Sequence, residues 1–338
     1  MDLHAAVSVA RAAEYASARD RSRERLVARG SAAAWARTVA VPELPPSRRA
    51  PSGSVRALGW EERGYPEGLR ALPEPPPAVF VRGLPEPLPP VERCVALVGA
   101  RRCTREGRWI AHDLARGLAA QGIVVVSGLA LGIDVSAHEG ALAGRGRTLA
   151  VLPSDVDHPA PRRNHGVAEE IAAGGGWLLS ERPPGAAVRP ESFPRRNRLV
   201  AASAGAVVVV EAALRSGTLS TVDWALRLGR PVGAVPGSPL SPVSAGSNRL
   251  LAAGAAVVAS VADVVDLLGA ARERPLPVAA VDDDARAVLG AVPGASGTAE
   301  AWLKASGLPR TRARSALLRL LAAGAVRRVS GGRIVRVL

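Results

Sequence analysis

Six consecutive residues, Phe193-Pro194-Arg195-Arg196-Asn197-Arg198, set three guanidinium groups, an amide and an aromatic ring between two apolar segments. Guanidinium forks pair with phosphate through two parallel hydrogen bonds, and a ring offers a face on which a base can stack. The stretch reads as a basic loop. Three shorter runs, Gly99-Ala100-Arg101-Arg102, Ser127-Gly128 and Ser216-Gly217-Thr218, each follow an apolar run and precede a helical one. At such a junction a hydroxyl or arginine and an unhindered N–H lie beside the free N–H groups and positive end of a helix, which suits an anion. Each also has a plainer reading: an N-cap at the serines, a solvated arginine on a tight turn at Arg101, a core ring at Phe193. Together they describe a row of anion sites along one rim.

Other chemistry-bearing residues are sparser. Asp134 and His138 share a helix face as an acid–base pair or as a local contact that orders the helix. Asp155, Asp157 and His158 are of ligand type, with nothing else of that type near in sequence, so no metal is expected. No G-x-S-x-G surrounds Ser127 or Ser216, which removes the serine-hydrolase elbow. The glycine after Gly99 is Gly107, so the G-x-G-x-x-G of a dinucleotide site is missing, no NAD site is expected, and no cofactor is expected.

The elements that must hold these residues alternate. Val95-Ala96-Leu97-Val98, a run apolar throughout, is a strand buried on both faces. Strands are expected at 123–126, 148–152, 177–179, 206–210, 232–235 and 257–258. Helices are expected from Thr104 to about Ala120, then to Ala143, at 165–173, 217–228, 248–253 and 261–268. Alternating strands and helices imply an α/β fold, a mostly parallel sheet with helices on both faces. Ahead of it stand an Ala-rich helical region, 1–55, and a Pro-rich lead-in, 56–90, with one short strand at Val79-Phe80-Val81. The sheet domain covers 91–269 and a Pro-containing linker 270–282.

Residues 283–338 change character. From 285 onward ten basic residues face one acid, Glu300. Helices at about 283–292, 298–306 and 310–323, with Gly307 and Pro309 between the last two, have helix-turn-helix spacing. Val326–Val329 and Arg333–Val337 around Gly331-Gly332 read as a hairpin. Three helices and a hairpin make a winged helix. Arg310, Arg312 and Arg314 open its recognition helix, with Arg327, Arg328 and Arg333 on the hairpin, as accessory nucleic-acid contacts or as a solvated charged face.

The chain has 338 residues and a formal net charge of +14, and Lys304 is the single lysine among 44 basic residues. High Ala, Gly, Pro and Arg match a GC-rich genome, which accounts for arginine over lysine but not for base over acid. That excess favours a polyanionic partner, nucleic acid before membrane. Cys94 and Cys103 are read as free thiols in a reducing cytosol. No run of 18 apolar residues suggests a membrane span, and Arg11 and Glu14 break the N-terminal apolar pattern of a signal peptide.

Several motifs in fixed order resemble the DNA-processing protein A (DprA/Smf) family: Val98-Gly99-Ala100-Arg101, Val126-Ser127-Gly128-Leu129-Ala130-Leu131-Gly132-Ile133-Asp134 with Ala137-His138, Phe193 with Arg196-Asn197-Arg198, Val210-Glu211-Ala212 with Arg215-Ser216-Gly217-Thr218, and Val235-Pro236-Gly237. The resemblance implies a Rossmann-like, doubly wound fold and a non-catalytic protein of the cytoplasm. Such a protein forms a homodimer, binds and protects single-stranded DNA, and loads the RecA recombinase in natural transformation and homologous recombination. By motif, Gly99, Arg101, Ser127, Gly128, Ser216, Gly217 and Thr218 would hold phosphates. Arg189, Arg196, Asn197 and Arg198 would line the same groove, and Phe193 would stack on a base. Where the family carries G-x-D-x-x-Y-P, this chain reads Ser154-Asp155-Val156-Asp157-His158-Pro159-Ala160-Pro161, without the tyrosine. Two alternatives stand beside this. One is a nucleotide hydrolase of the lysine-decarboxylase-like group, whose P-G-G-x-G-T-x-x-E glutamate is missing after Thr218. The other is a transcription regulator built on the winged helix.

Overall fold

The Pro-rich stretch before Val91 is part of the sheet rather than a lead-in to it. Arg56–Gly59 forms β1 and Ala78–Gly83 forms β2, with a single turn of helix, α1 (Glu67–Arg70), between them. Prolines flank β2 without interrupting it, as a strand requires, because proline cannot donate to a ladder. Ala78, Val79, Phe80 and Val81 are fully buried. The second strand, β1, escapes a reading of the sequence: it is short and half-buried, and among the described residues it pairs only with β2.

From there the expected alternation is observed. β3 (Cys94–Val98), α2 (Arg105–Ala120), β4 (Val124–Ser127), α3 (Ile133–Ala143), β5 (Thr148–Val151), α4 (His165–Glu170) and β6 (Gly176–Ser180) build one half. α5 (Ser192–Ala202), β7 (Ala206–Val209), α6 (Thr218–Arg227), β8 (Val232–Ala234), α7 (Ala245–Ala252), β9 (Ala256–Val257) and α8 (Val261–Glu273) build the other. The strands form one nine-stranded sheet in the order β1-β2-β6-β5-β4-β3-β7-β8-β9. β3 through β9 run parallel in the sheet, and β1 and β2 are antiparallel at one edge.

Alternate residues of β3 enter different cores. Cys94, Ala96 and Val98 pack with Leu199 and Val200 of α5 and Val222 and Ala225 of α6. Val95 and Leu97 pack with Leu114 and Leu118 of α2, Ala137 of α3 and Leu268 of α8. This two-sided burial is why the strand reads as a continuous apolar run. α8 runs past the expected end at 268 to Glu273, inside the stretch read as linker.

The computed structural model describes residues 55–273, 283–291, 296–322, 326–328 and 333–336. The helical region expected at the N-terminus lies outside them apart from Val55. The described residues divide between Ala271 and Arg272 into two compact units. In the second unit, α9 (Asp283–Gly290), β10 (Ser296–Thr298), α10 (Ala299–Ala305), α11 (Arg310–Ala322), β11 (Val326–Arg328) and β12 (Arg333–Arg336) follow in order. The expected hairpin forms, β11 pairing antiparallel with β12, and β10 adds an unexpected third strand on the other side of β12. Val288, Trp302, Leu317, Leu320, Val326 and Ile334 make its separate core.

Candidate nucleic-acid interface

The sheet order reverses between β3 and β7. From β3 the chain proceeds outward through β4, β5 and β6, and from β7 it proceeds the other way through β8 and β9. In open α/β sheets the crevice beyond the carboxyl ends of strands at such a reversal is where ligands sit. Gly99 to Arg101 leave β3 there, and Val210 to Thr218 leave β7.

Two of the three expected anion positions are already occupied by the protein's own carboxylates. At the start of α2, Thr104 Oγ1 accepts from Gly107 N at 2.9 Å and donates to Glu211 Oε1 at 2.5 Å, while Thr104 N donates to Glu211 Oε2 at 2.9 Å. A Cβ on Gly107 would lie 2.5 Å from the Glu211 carboxyl carbon, so glycine is required for the approach. At the exit of β4, Gly128 N donates to Asp134 Oδ2 at 3.2 Å, with Ala130 and Gly99 N–H groups also directed at that carboxylate. Burial pushes the Asp134 carboxyl above its ordinary value, opposed by the nearby Arg196 and these donors. Ser127 is fully buried and donates its hydroxyl to Leu97 O at 2.6 Å. Gly99, Ser127 and Gly128, expected to touch phosphate, are therefore interior residues. Gly99 is small because Ile133 and Glu211 O close over it.

The basic stretch is a helix, not a loop. Phe193 to Arg198 lie in α5, whose first turn tolerates Pro194 because those N–H groups have no intrahelical partner. The helical period was hidden because its buried face carries arginines: Arg196 stands four residues before the buried Val200. Arg196 Nη1 donates to Val151 O at 2.5 Å and to Gly128 O, tying α5 to the exits of β4 and β5. Burial pulls its guanidinium down to about 10, with Asp134 acting against that shift and Arg101 with it. Arg198 is buried as well, donating to Glu181 and, at 3.1 Å, to Glu74 O. Arg196 and Arg198, expected in the groove, thus hold the scaffold instead. Asn197 is half-buried and donates to Gly217 O at 3.2 Å and Ser220 Oγ at 3.3 Å, joining α5 to the turn after β7.

What remains open lies at the amino end of α5. Arg101, Val188, Arg189, Pro190, Phe193 and Pro194 line a shallow hollow of about 520 Å³. The Arg101 guanidinium lies over the Phe193 ring, 4.7 Å from its centroid. Arg101 and Arg189 are exposed and Phe193 is half-buried. A tight turn presents Arg189: its N–H donates to Ser192 Oγ at 3.3 Å and its carbonyl accepts from Ser192 N at 3.0 Å. The third junction is also open. Gly217 is exposed, a Cβ there would meet nothing, and the first turn of α6 carries no acid. Ser216 Oγ accepts from Thr218 N at 3.2 Å.

The remaining candidates of the first unit take structural roles. Neither an acid–base pair nor a local contact links Asp134 and His138. His138 Nδ1 lies 2.7 Å from Thr148 Oγ1, whose hydroxyl donates to Val125 O at 2.6 Å. With that proton committed, the Thr148 oxygen accepts from Nδ1–H, and burial pushes the His138 pKa down to about 3, with Arg196 acting in the same direction. Asp155 orders its loop by accepting from Asp157 N, His158 N and Gly185 N at 2.7–3.1 Å. In the second unit Arg310 pairs with Glu300 and Arg312 with Asp284, each at 2.6 Å, while Arg314 is exposed. Arg327 and Arg328 fall in β11 and Arg333 opens β12.

Two residues central to this arrangement were missed as functional in the sequence, Glu211 and the carboxylate role of Asp134. A signal existed: each acid follows a glycine-bearing or strand-exit motif in which a helix begins with unsatisfied donors.

Comparison with known proteins places these features in a group. Residues 56–269 match the family model described as DNA recombination-mediator protein A. The putative DNA processing protein DprA of Mycobacterium tuberculosis is 46% identical over 209 residues, 60% of this chain and 54% of that protein, so the chain spans about half the length of that relative. The DNA processing protein DprA of Bacillus subtilis is 35% identical over 214 residues, 63% of this chain and 71% of that protein. Among solved structures, DNA processing protein A of Streptococcus pneumoniae is 28% identical with a TM-score of 0.60, covering 77% of this chain and 92% of its own. DNA processing protein A of Helicobacter pylori, a structure concerned with its single-stranded DNA binding mode, is 32% identical with a TM-score of 0.56, covering 64% and 96%.

Proposed function

The chain belongs to the DNA recombination-mediator protein A family, and from that premise we propose that it binds single-stranded DNA across the reversal point of its sheet. The observation that carries this reading is the hollow in which Arg101 and Arg189 flank the Phe193 ring. Phe193 stacks on a base, Arg101 and Arg189 hold the adjoining phosphates, and the open turn Ser216–Thr218 takes a further phosphate at the start of α6. Arg196, Asn197 and Arg198 position α5 instead of touching the strand. The Helicobacter pylori relative's association with single-stranded DNA supports the assignment.

On this reading the protein is a DNA-binding mediator in transformation and recombination, acting in the cytoplasm as a homodimer, and delivering the strand to the RecA recombinase. It is a binding protein and not an enzyme, a reading supported by the engagement of Glu211 and Asp134 with backbone donors. The second unit is a winged helix, supported by its helix-strand-helix-helix-strand-strand order. There Arg310, Arg312, Arg314, Arg327, Arg328 and Arg333 add avidity.

The test compares single strand, duplex and mononucleotide in a fluorescence-anisotropy titration across a salt series. Single strand should bind tightest, with a log–log salt slope of about −0.7 for each phosphate contacted. A flat salt response overturns the reading. Preference for mononucleotide would favour the hydrolase, and preference for duplex the regulator.

A further inference from the structure

A strand lying in the hollow must leave it, and α2 offers an exit of matching chemistry. Arg101 stands four residues before α2. The helix turns Gly107, Ala111, Leu114, Ala115 and Leu118 inward, while Arg105, Arg108 and Trp109, with Arg102 just ahead of the helix, face solvent. Trp109 is 68% exposed. Elsewhere in this unit Tyr65, Trp177, Phe193 and Trp224 each carry an arginine of the chain over their ring, at 4.7–5.6 Å. Among the described residues Trp109, like the less exposed Trp60, carries none, although Arg105 lies one turn before it and Arg108 beside it. Among the described residues, Arg102, Arg105 and Arg108 have no ion-pair partner either. The positive stripe ends one turn later, where Arg116 is tied to Asp113 at 2.7 Å. Glu106 is exposed in the same stretch, which leaves three cations against one acid.

We infer that the face of α2 from Arg102 to Trp109 continues the binding track, with Trp109 stacking on a base beyond the hollow and Arg102, Arg105 and Arg108 neutralising the phosphates beside it. The occupant is the single strand itself, so the inference rests on the reading of the rim given above. Helical rise puts Trp109 about 6 Å along the axis from Arg105, which keeps ring and guanidinium groups within one short run of backbone. A vacant aromatic face among unpaired cations is the composition of a sequence-independent single-strand surface.

The experiment titrates the full-length protein with oligothymidylates of about 4 to about 20 nucleotides, comparing wild type with Trp109→Ala, Trp109→Phe and the double variant Arg105→Ala/Arg108→Ala. Trp109→Ala should leave the shortest strands unaffected and weaken the longest by about fivefold or more, the low end of a lost base stack. Trp109→Phe should retain most of that affinity, and the double variant should lower the long-strand salt slope by about 1.4. If Trp109→Ala matches wild type at every length, or changes only the oligomeric state in sedimentation, the inference is overturned while the rim reading stands. If wild type binds no single strand at all, the rim reading itself fails.

Discussion

The rims beyond β3 and β4 and the rim beyond β7 begin from the same local chemistry and end in opposite states. On the β3 and β4 side Glu211 and Asp134 bring carboxylates to the waiting N–H groups, and glycine at 107 lets the Glu211 carboxylate approach, while glycine at 128 makes room for the Arg196 guanidinium. On the β7 side Gly217 is exposed at the start of α6, and no acid stands in the first turn. A glycine-and-hydroxyl junction therefore marks a place for an anion without saying whose anion it is. The arginines divide in the same way. Arg196 and Arg198 answer internal carbonyls and carboxylates, whereas Arg101 and Arg189 face solvent beside a ring.

The comparison can be broken most forcefully at the closed side. Arg196→Met removes the guanidinium whose charge favours the ionised form of the buried Asp134, and leaves Gly128 O and Val151 O without their donor. Each buried acceptor left unsatisfied costs about 1–3 kcal/mol, so the denaturation midpoint should fall sharply. An unchanged midpoint would show that the closed rim does not depend on this residue.

A second experiment uses pH. His138 is held neutral, with a folded pKa of about 3 against the ordinary 6.5. The unfolded chain therefore binds the extra proton between those values, and its contribution to stability is complete above about 6.5 and is lost as pH falls toward 3. The slope should reach about 1.4 kcal/mol per pH unit, measured by denaturant unfolding at stepped pH. His138→Asn should flatten it, and an identical slope in that variant would assign the effect elsewhere.

The smallest of the three effects tests the open side. Phe193→Ala should weaken single-strand binding by about 1–3 kcal/mol and leave the melting temperature close to wild type, because the ring lines a hollow at the surface. A fall in melting temperature with unchanged binding would make Phe193 a core residue, and the rim would lose its base platform.

Much of the sheet was legible because strands buried on both faces are apolar without interruption, as in Val95–Val98 and Ala206–Val209. β1 and β10 were not, since three or four half-polar residues pairing at one edge leave no periodic signal. α5 was misread for a different reason. A helix buried on several sides, with Arg196 and Arg198 among its buried residues, shows no single apolar stripe of the kind from which helices are recognised.

The sequence by itself determined the alternation of strands and helices, the positions of the glycine-bearing junctions and the excess of arginine over acid. These follow from local propensity, periodicity and charge, each readable within a few residues. Only the tertiary structure decided which junctions are open. Glu211 lies more than a hundred positions from Thr104, and Arg196 lies 68 from Gly128. Their meeting depends on the order of strands in the sheet, which places the exits of β3, β4 and β7 side by side. Whether an arginine binds a phosphate or a carbonyl of its own chain is settled by what that packing brings within hydrogen-bond reach.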